Sequence, residues 1–164
     1  MIATVDSFSV SMFLHITAVM VGFGSTFALS VTTPIAMKLN PRHLPYVHQL
    51  ELVLGRFFAT PALVLVLATG FYQVDKHNWD LGDAWISATL AIVVVIGGLS
   101  GAYFIPAAKK LKALAERDIA ASGDGPVTMS EDYNRRARLG AILGPLTGLL
   151  LVVAVFLMTT KPGV

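Results

Sequence analysis

The chain has 164 residues, of which 55% are hydrophobic and 13% charged, with a net charge of +2 and no cysteine. Such a composition, with a mean hydropathy of +0.70, is too apolar for an ordinary soluble domain. The lack of cysteine removes disulfides, thiolate metal sites and thiol nucleophiles. All 22 Asp, Glu, Lys and Arg residues fall outside four windows, residues 7–37, 57–74, 84–108 and 139–160. Crossing bilayer hydrocarbon takes about 20 apolar residues. The expected fold is all-α: one membrane domain over residues 1–164, an up-down four-helix bundle with spans at about 8–37, 50–74, 84–107 and 138–160.

The first helix is expected from Phe8 to about Lys38, with Pro34 in its last turns. It is longer than a bilayer requires and so tilts or protrudes. No basic segment precedes it, so a retained span is expected rather than a cleaved leader. Ser11, His15, Ala18, Gly22, Ser25, Leu29 and Thr32 recur in steps of four and three, which puts small and weakly polar groups on one stripe. After a turn at Asn40, Pro41 and Pro45, a second helix reads from Tyr46 to Gln73, with Pro61 inside it. Its stripe is Gly55, Ala59, Ala62, Val66, Thr69 and Gln73. Glu51 and Arg56 place its first turns in the interface, Glu51 facing a loop lysine or arginine. Arg56 either snorkels to phosphates or joins Arg138 in holding an anionic headgroup or cofactor carboxylate.

The loop 75–83 is short, and Trp79 and Trp85 bracket a membrane boundary where indoles are favoured. Asp83 is the expected N-cap of the third helix. Past Gly97, Gly98, Gly101 and Pro106, that helix continues as an amphipathic stretch to Ala121, whose Leu111, Leu114 and Ile119 cover one end of the bundle. Residues 122–126 break it. Thr128 and Glu131 have capping-box spacing, so the fourth helix is expected to start near Met129 and to cross from Leu139. It carries Gly140, Gly144 and Gly148 at intervals of four, the kind of small-residue face through which membrane helices pack, here against a larger complex or a second copy.

Ten of the twelve lysines and arginines lie in or beside the first and third connections, leaving only Lys76 and Lys161 at the other end. The positive-inside rule makes loops 38–56 and 108–138 cytoplasmic and both termini external, in a cell (inner) membrane. Orientation and attraction to anionic lipid explain the basic residues, and nucleic acid is not an expected partner.

His15 is the one ionisable group other than tyrosine inside the windows, and such a group in hydrocarbon is a functional candidate. It lies about 10 Å along the helix from Phe8, level with Thr69, Tyr72, Gln73, Thr89, Met158 and Thr159. Three readings stand: a neutral imidazole bonded to one of those groups, an axial ligand of haem or a metal, and a proton relay. His43 and His48 lie at the opposite end and cannot share a metal with His15, whereas His77 could fold down towards it. The candidate cofactor-binding residues are His15, Gly22, Tyr72 and Thr89, with His15 the metal ligand; no catalytic residue is assigned. No HExxH, phosphate loop or GxSxG is present, and no carboxylate lies inside the spans to drive transport.

Leu14-His15-Ile16, Thr60-Pro61-Ala62 with Thr69-Gly70, Trp85 with Leu90, and Arg136 through Lys161-Pro162 together form a recognisable layout. It resembles the small four-span membrane proteins related to HemJ-type protoporphyrinogen oxidase and the copper-resistance D membrane domain, and most nearly a predicted integral membrane family of the same layout. The resemblance implies that His15 matches the first-span histidine associated with haem b. Where that pattern has a lysine four residues after the third-span tryptophan, this chain has Thr89, and Val21, Gly22 and Phe23 replace aromatic residues. These departures speak against protoporphyrinogen oxidation. The expected function is a multi-pass membrane protein that binds b-type haem for electron transfer or redox chemistry. The alternative is a non-catalytic subunit of a larger membrane complex.

Overall fold

The computed structural model describes residues 6–163, which form four helices: α1 (Ser7–Leu39), α2 (Pro41–His77), α3 (Ala84–Ser122) and α4 (Glu131–Thr160). Each contains an apolar stretch long enough to cross a bilayer. Their lipid faces carry large bare side chains, Phe13, Met20, Phe57, Val94 and Ile142 among them, each more than 60% exposed. A protein in water would hide such groups, whereas in hydrocarbon they cost nothing.

The up-down order brings α1 against α2 and α4, and α3 against α4. The extensions of α2 and α3 beyond the apolar windows pack on each other at the basic end of the bundle. There Leu44, Val47, Leu111, Leu114, Ala115, Met129 and Tyr133 form the main core, with Ile119 partly buried beside it. Each fully buried large apolar side chain contributes roughly 1.5–3 kcal/mol in water. The expected cover over one end is thus a helical head, built by the hydrophobic effect outside the lipid. Between the spans themselves, close contact replaces that force. A Cβ on Gly22 would lie 3.5 Å from that of Ala62.

Proline shapes α2 and α3 alike. Gly55–Ala59 precedes Thr60-Pro61, and Ser100–Phe104 precedes Ile105-Pro106; both five-residue segments are π turns. Proline lacks an N–H and its ring crowds the carbonyl four residues back. Widening the preceding turn by one residue accommodates the ring without ending the helix. The two π turns are neighbours, since a Cβ on Gly55 would meet Ile105 Cγ1 at 3.9 Å.

Several boundaries differ from the sequence reading. The second helix begins at Pro41 rather than near Tyr46, because Asn40 caps it, its side chain accepting from the Arg42 N–H at 3.0 Å. Ser130, not Thr128, caps α4; its own N–H donates to Asp118 Oδ2 at 2.8 Å, which fixes it at the helix start. Asp83 stands at the N-cap of α3 as expected, but its backbone carbonyl, not its side chain, receives the Ile86 and Ser87 N–H groups.

Candidate functional site

The small-residue stripes of α1 and α2 face one another and form a polar seam in the half of the bundle nearer the termini. Tyr72 donates its hydroxyl to Ser7 Oγ at 2.7 Å, and Gln73 Nε2 donates to Ser11 Oγ at 3.3 Å. One turn deeper, His15 Nδ1 lies 2.8 Å from Thr69 Oγ1. His15 and Thr69 are 8% and 7% exposed.

The contacts of the threonine favour one tautomer. Its hydroxyl has a single proton, which it gives to the Leu65 carbonyl at 2.6 Å. Its oxygen is then an acceptor, so His15 Nδ1 donates and Nε2 keeps its lone pair. Among the described residues, Nε2 has no hydrogen-bond partner. Gly70, named in the sequence only as part of Thr69-Gly70, lies against the ring: a Cβ there would stand 3.6 Å from His15 Cε1, in ordinary contact.

The other candidates do not gather round the imidazole. Gly22 faces Ala62, two turns deeper. Tyr72 is occupied by Ser7. Thr89 is buried but turns its hydroxyl back onto the Trp85 carbonyl at 2.7 Å, and Thr159 is exposed and bonds its own helix. His77 does not fold down; its ring packs between Phe8 and Trp79, with centroids 4.5 Å from each. His77 and His15 are therefore not brought together in this structure.

A second buried polar cluster lies at the basic end. His48, 1% exposed, has Nδ1 2.8 Å from Glu51 Oε2 and Nε2 2.9 Å from the Tyr133 hydroxyl. Glu51 Oε1 accepts from Thr33 Oγ1 at 2.7 Å. The chain Thr33–Glu51–His48–Tyr133 thus ties α1, α2 and α4 together. Tyr133 precedes the apolar part of α4, and burial, reinforced by the charge of Glu51, pushes its phenol up. It therefore stays protonated and donates to His48. Glu51 was expected to meet a loop lysine or arginine; the histidine one turn earlier on its own helix takes that place. The His48-Glu51 spacing was the available signal, but Tyr133 is 85 residues from His48.

Arg56 is exposed, as snorkelling requires. Among the described residues, no three His, Asp or Glu side chains converge on a point that could hold a metal ion. An apolar groove of about 300 Å³ opens between α1 and α4, lined by Thr26, Phe27, Ser30, Gly144, Gly148 and Leu149 among others.

A family model described as "Predicted integral membrane protein (DUF2269)" matches residues 9–162. No curated protein matches the chain. No solved structure matches it either. These findings do not extend to the HemJ-type oxidases or to the copper-resistance D domain.

Proposed function

Because the chain belongs to the DUF2269 family of predicted integral membrane proteins, we propose a role within the bilayer: a multi-pass cell-membrane protein that holds b-type haem on His15 for electron transfer or redox chemistry. The observation that carries this reading is the imidazole, fixed at Nδ1 by Thr69 and bearing a lone pair on an unpartnered Nε2. A hydrogen bond of that kind on the far nitrogen is how ligating histidines are oriented and made more basic. A lone histidine cannot hold a bare ion, but haem brings four ligands of its own and asks for one imidazole.

The residues fit the group at the donor and constrain it in space. Gly70 and Thr69 close the α2 side of the ring, so the group would lie on the Nε2 edge rather than between α1 and α2. Bound there, haem would supply one-electron chemistry; the protein supplies the donor, its orientation and an apolar surround. The basic loops 38–56 and 108–138 would face the cytoplasm and the termini the opposite side. The test is the optical spectrum of protein purified from haem-replete cells. A Soret band that disappears in folded His15→Ala protein is expected, and wild type without one refutes the reading.

The α1/α4 groove favours a second reading, a packing subunit of a larger membrane complex or a homo-oligomer. A Cβ on Gly144 would meet nothing within 4 Å, so a partner helix could seat there. Gly144→Leu should leave the monomer folded and abolish co-purification of a larger species. An unchanged species after that substitution removes this reading.

A further inference from the structure

The groove of about 300 Å³ between α1 and α4 is mostly apolar, and it opens on the lipid side of the bundle, where Phe27 and Leu149 are each more than half exposed. Its two hydroxyls are turned onto their own helix: Thr26 donates to the Gly22 carbonyl at 3.0 Å and Ser30 to that of Phe27 at 2.7 Å. Neither has a proton left to donate across the groove, as a span held by interhelical hydrogen bonds would ask. An acyl chain asks for none.

Both walls lead to a cation at the basic end. On α1, Phe27, Val31, Pro34 and Lys38 follow one another at steps of four, three and four, and on α4 the same steps run back from Leu149 through Pro145 and Ile142 to Arg138. Eleven residues are close to three turns of α-helix, and both segments stay α-helical through their prolines, so each cation stands on the face of its helix that lines the groove. The heights agree as well. A Cβ on Gly148 would meet the Phe27 ring at 3.9 Å, which sets these two residues level. Lys38 lies eleven residues beyond Phe27 and Arg138 ten residues back from Gly148, so in this antiparallel pair both stand about 15 Å along the bundle from that contact. The helices do not splay apart on the way, because Ala36 of α1 and Tyr133 of α4 share one core. Lys38 and Arg138 are exposed, and among the described residues neither has a carboxylate within ion-pair distance.

We propose that the α1/α4 groove and its two basic residues form a binding site for one anionic phospholipid, with an acyl chain along Phe27, Pro145 and Leu149 and the phosphate in the exposed headgroup layer between Lys38 and Arg138. Charge selects the lipid and the groove holds its chain. The two cations act on the phosphate through water-facing side chains on long stems, so no enclosed cavity is needed at that end. The proposal gives the groove to a lipid in place of the partner helix of the second reading, and it rests on neither haem nor His15.

The test is native mass spectrometry of the detergent-purified full chain with dioleoyl phosphatidylglycerol or dioleoyl phosphatidylcholine, which has the same chains and no net charge. One phosphatidylglycerol retained on the monomer in preference to phosphatidylcholine is expected. Lys38→Met and Arg138→Met should each weaken that retention about fivefold, the equivalent of about 1 kcal/mol per basic residue near an anionic surface. Lys110→Met removes the same charge from α3, which does not line the groove, and should change nothing. A Cβ on Gly144 meets nothing within 4 Å, so Gly144→Leu fills the groove without a clash and should lose the lipid although both cations remain. Equal retention of the two lipids, unchanged binding in the Lys38→Met/Arg138→Met double variant, equal weakening by Lys110→Met, or full retention in Gly144→Leu overturns the proposal. A lipid-free dimer that Gly144→Leu dissociates also overturns it and assigns the groove to a second copy of the chain.

Discussion

Replacing Thr69 by valine removes one hydroxyl and almost no volume, so it isolates the bond that orients His15. The bond to the Leu65 carbonyl is cheap to lose, because Thr69 lies within a helix whose backbone already uses that carbonyl. The bond from His15 Nδ1 is not, because the donor is left buried in hydrocarbon at the α1/α2 seam. Hydrogen bonds between membrane helices average about 0.6 kcal/mol, with a maximum near 1.7, while an orphaned buried donor costs about 1–3. A loss of about 1–2 kcal/mol is expected. Ser11→Ala breaks the longer 3.3 Å contact with Gln73 and should cost less. The assay is reversible unfolding in mixed detergent micelles, with a double-mutant cycle to His15→Ala. If Thr69→Val is as stable as wild type, or costs no more than Ser11→Ala, or adds independently to His15→Ala, the bond does not hold the imidazole.

Tyr133→Phe keeps a ring that is 0% exposed and orphans His48 Nε2. It should lower stability by about 1–3 kcal/mol in the same unfolding assay, and a neutral result would show that the His48 cluster does not bind α4 to α2. Acid should loosen the α3–α4 connection. Burial raises the pKa of Asp118, but bonds from the Ser130 N–H and hydroxyl and from Arg117 outweigh it and leave the pKa below 3.8. A carboxylate held below its unfolded value stabilises the fold above that value and loses the contribution as pH falls through the folded one. Limited proteolysis between residues 122 and 130 should therefore accelerate below about pH 4 in wild type and be pH-independent there in Asp118→Asn. Arg42 donates to the Gly123 and Gly125 carbonyls at 2.6 and 2.9 Å. Arg42→Ala should expose the same segment to protease at neutral pH while leaving helix content unchanged by circular dichroism.

Much of the fold was legible because a bilayer imposes a length and excludes charge, and both are written along the chain. The four apolar windows became α1 to α4, and the steps of four and three on the first helix became the buried face of Ser11, His15 and Ala18. Thr69 could be named as a neighbour of His15 because depth follows from residue count at a fixed rise. What stayed hidden depends on contacts between distant residues. Ser130 outranks Thr128 as a cap only because Asp118, twelve residues earlier, receives its N–H. Glu51 turns inward because Tyr133 and Thr33 arrive from other helices. Trp85 reads as an interfacial indole and is nearly fully buried, since Trp79 and Lys161 fold over it.

The most direct test of His15 as a haem ligand is titration of haem into purified protein, wild type and His15→Ala side by side, followed at the Soret band. Ligation by His15 predicts a saturable 1:1 spectrum of imidazole-bound haem in wild type that His15→Ala lacks and that Thr69→Val weakens. Identical titrations of wild type and His15→Ala would contradict it.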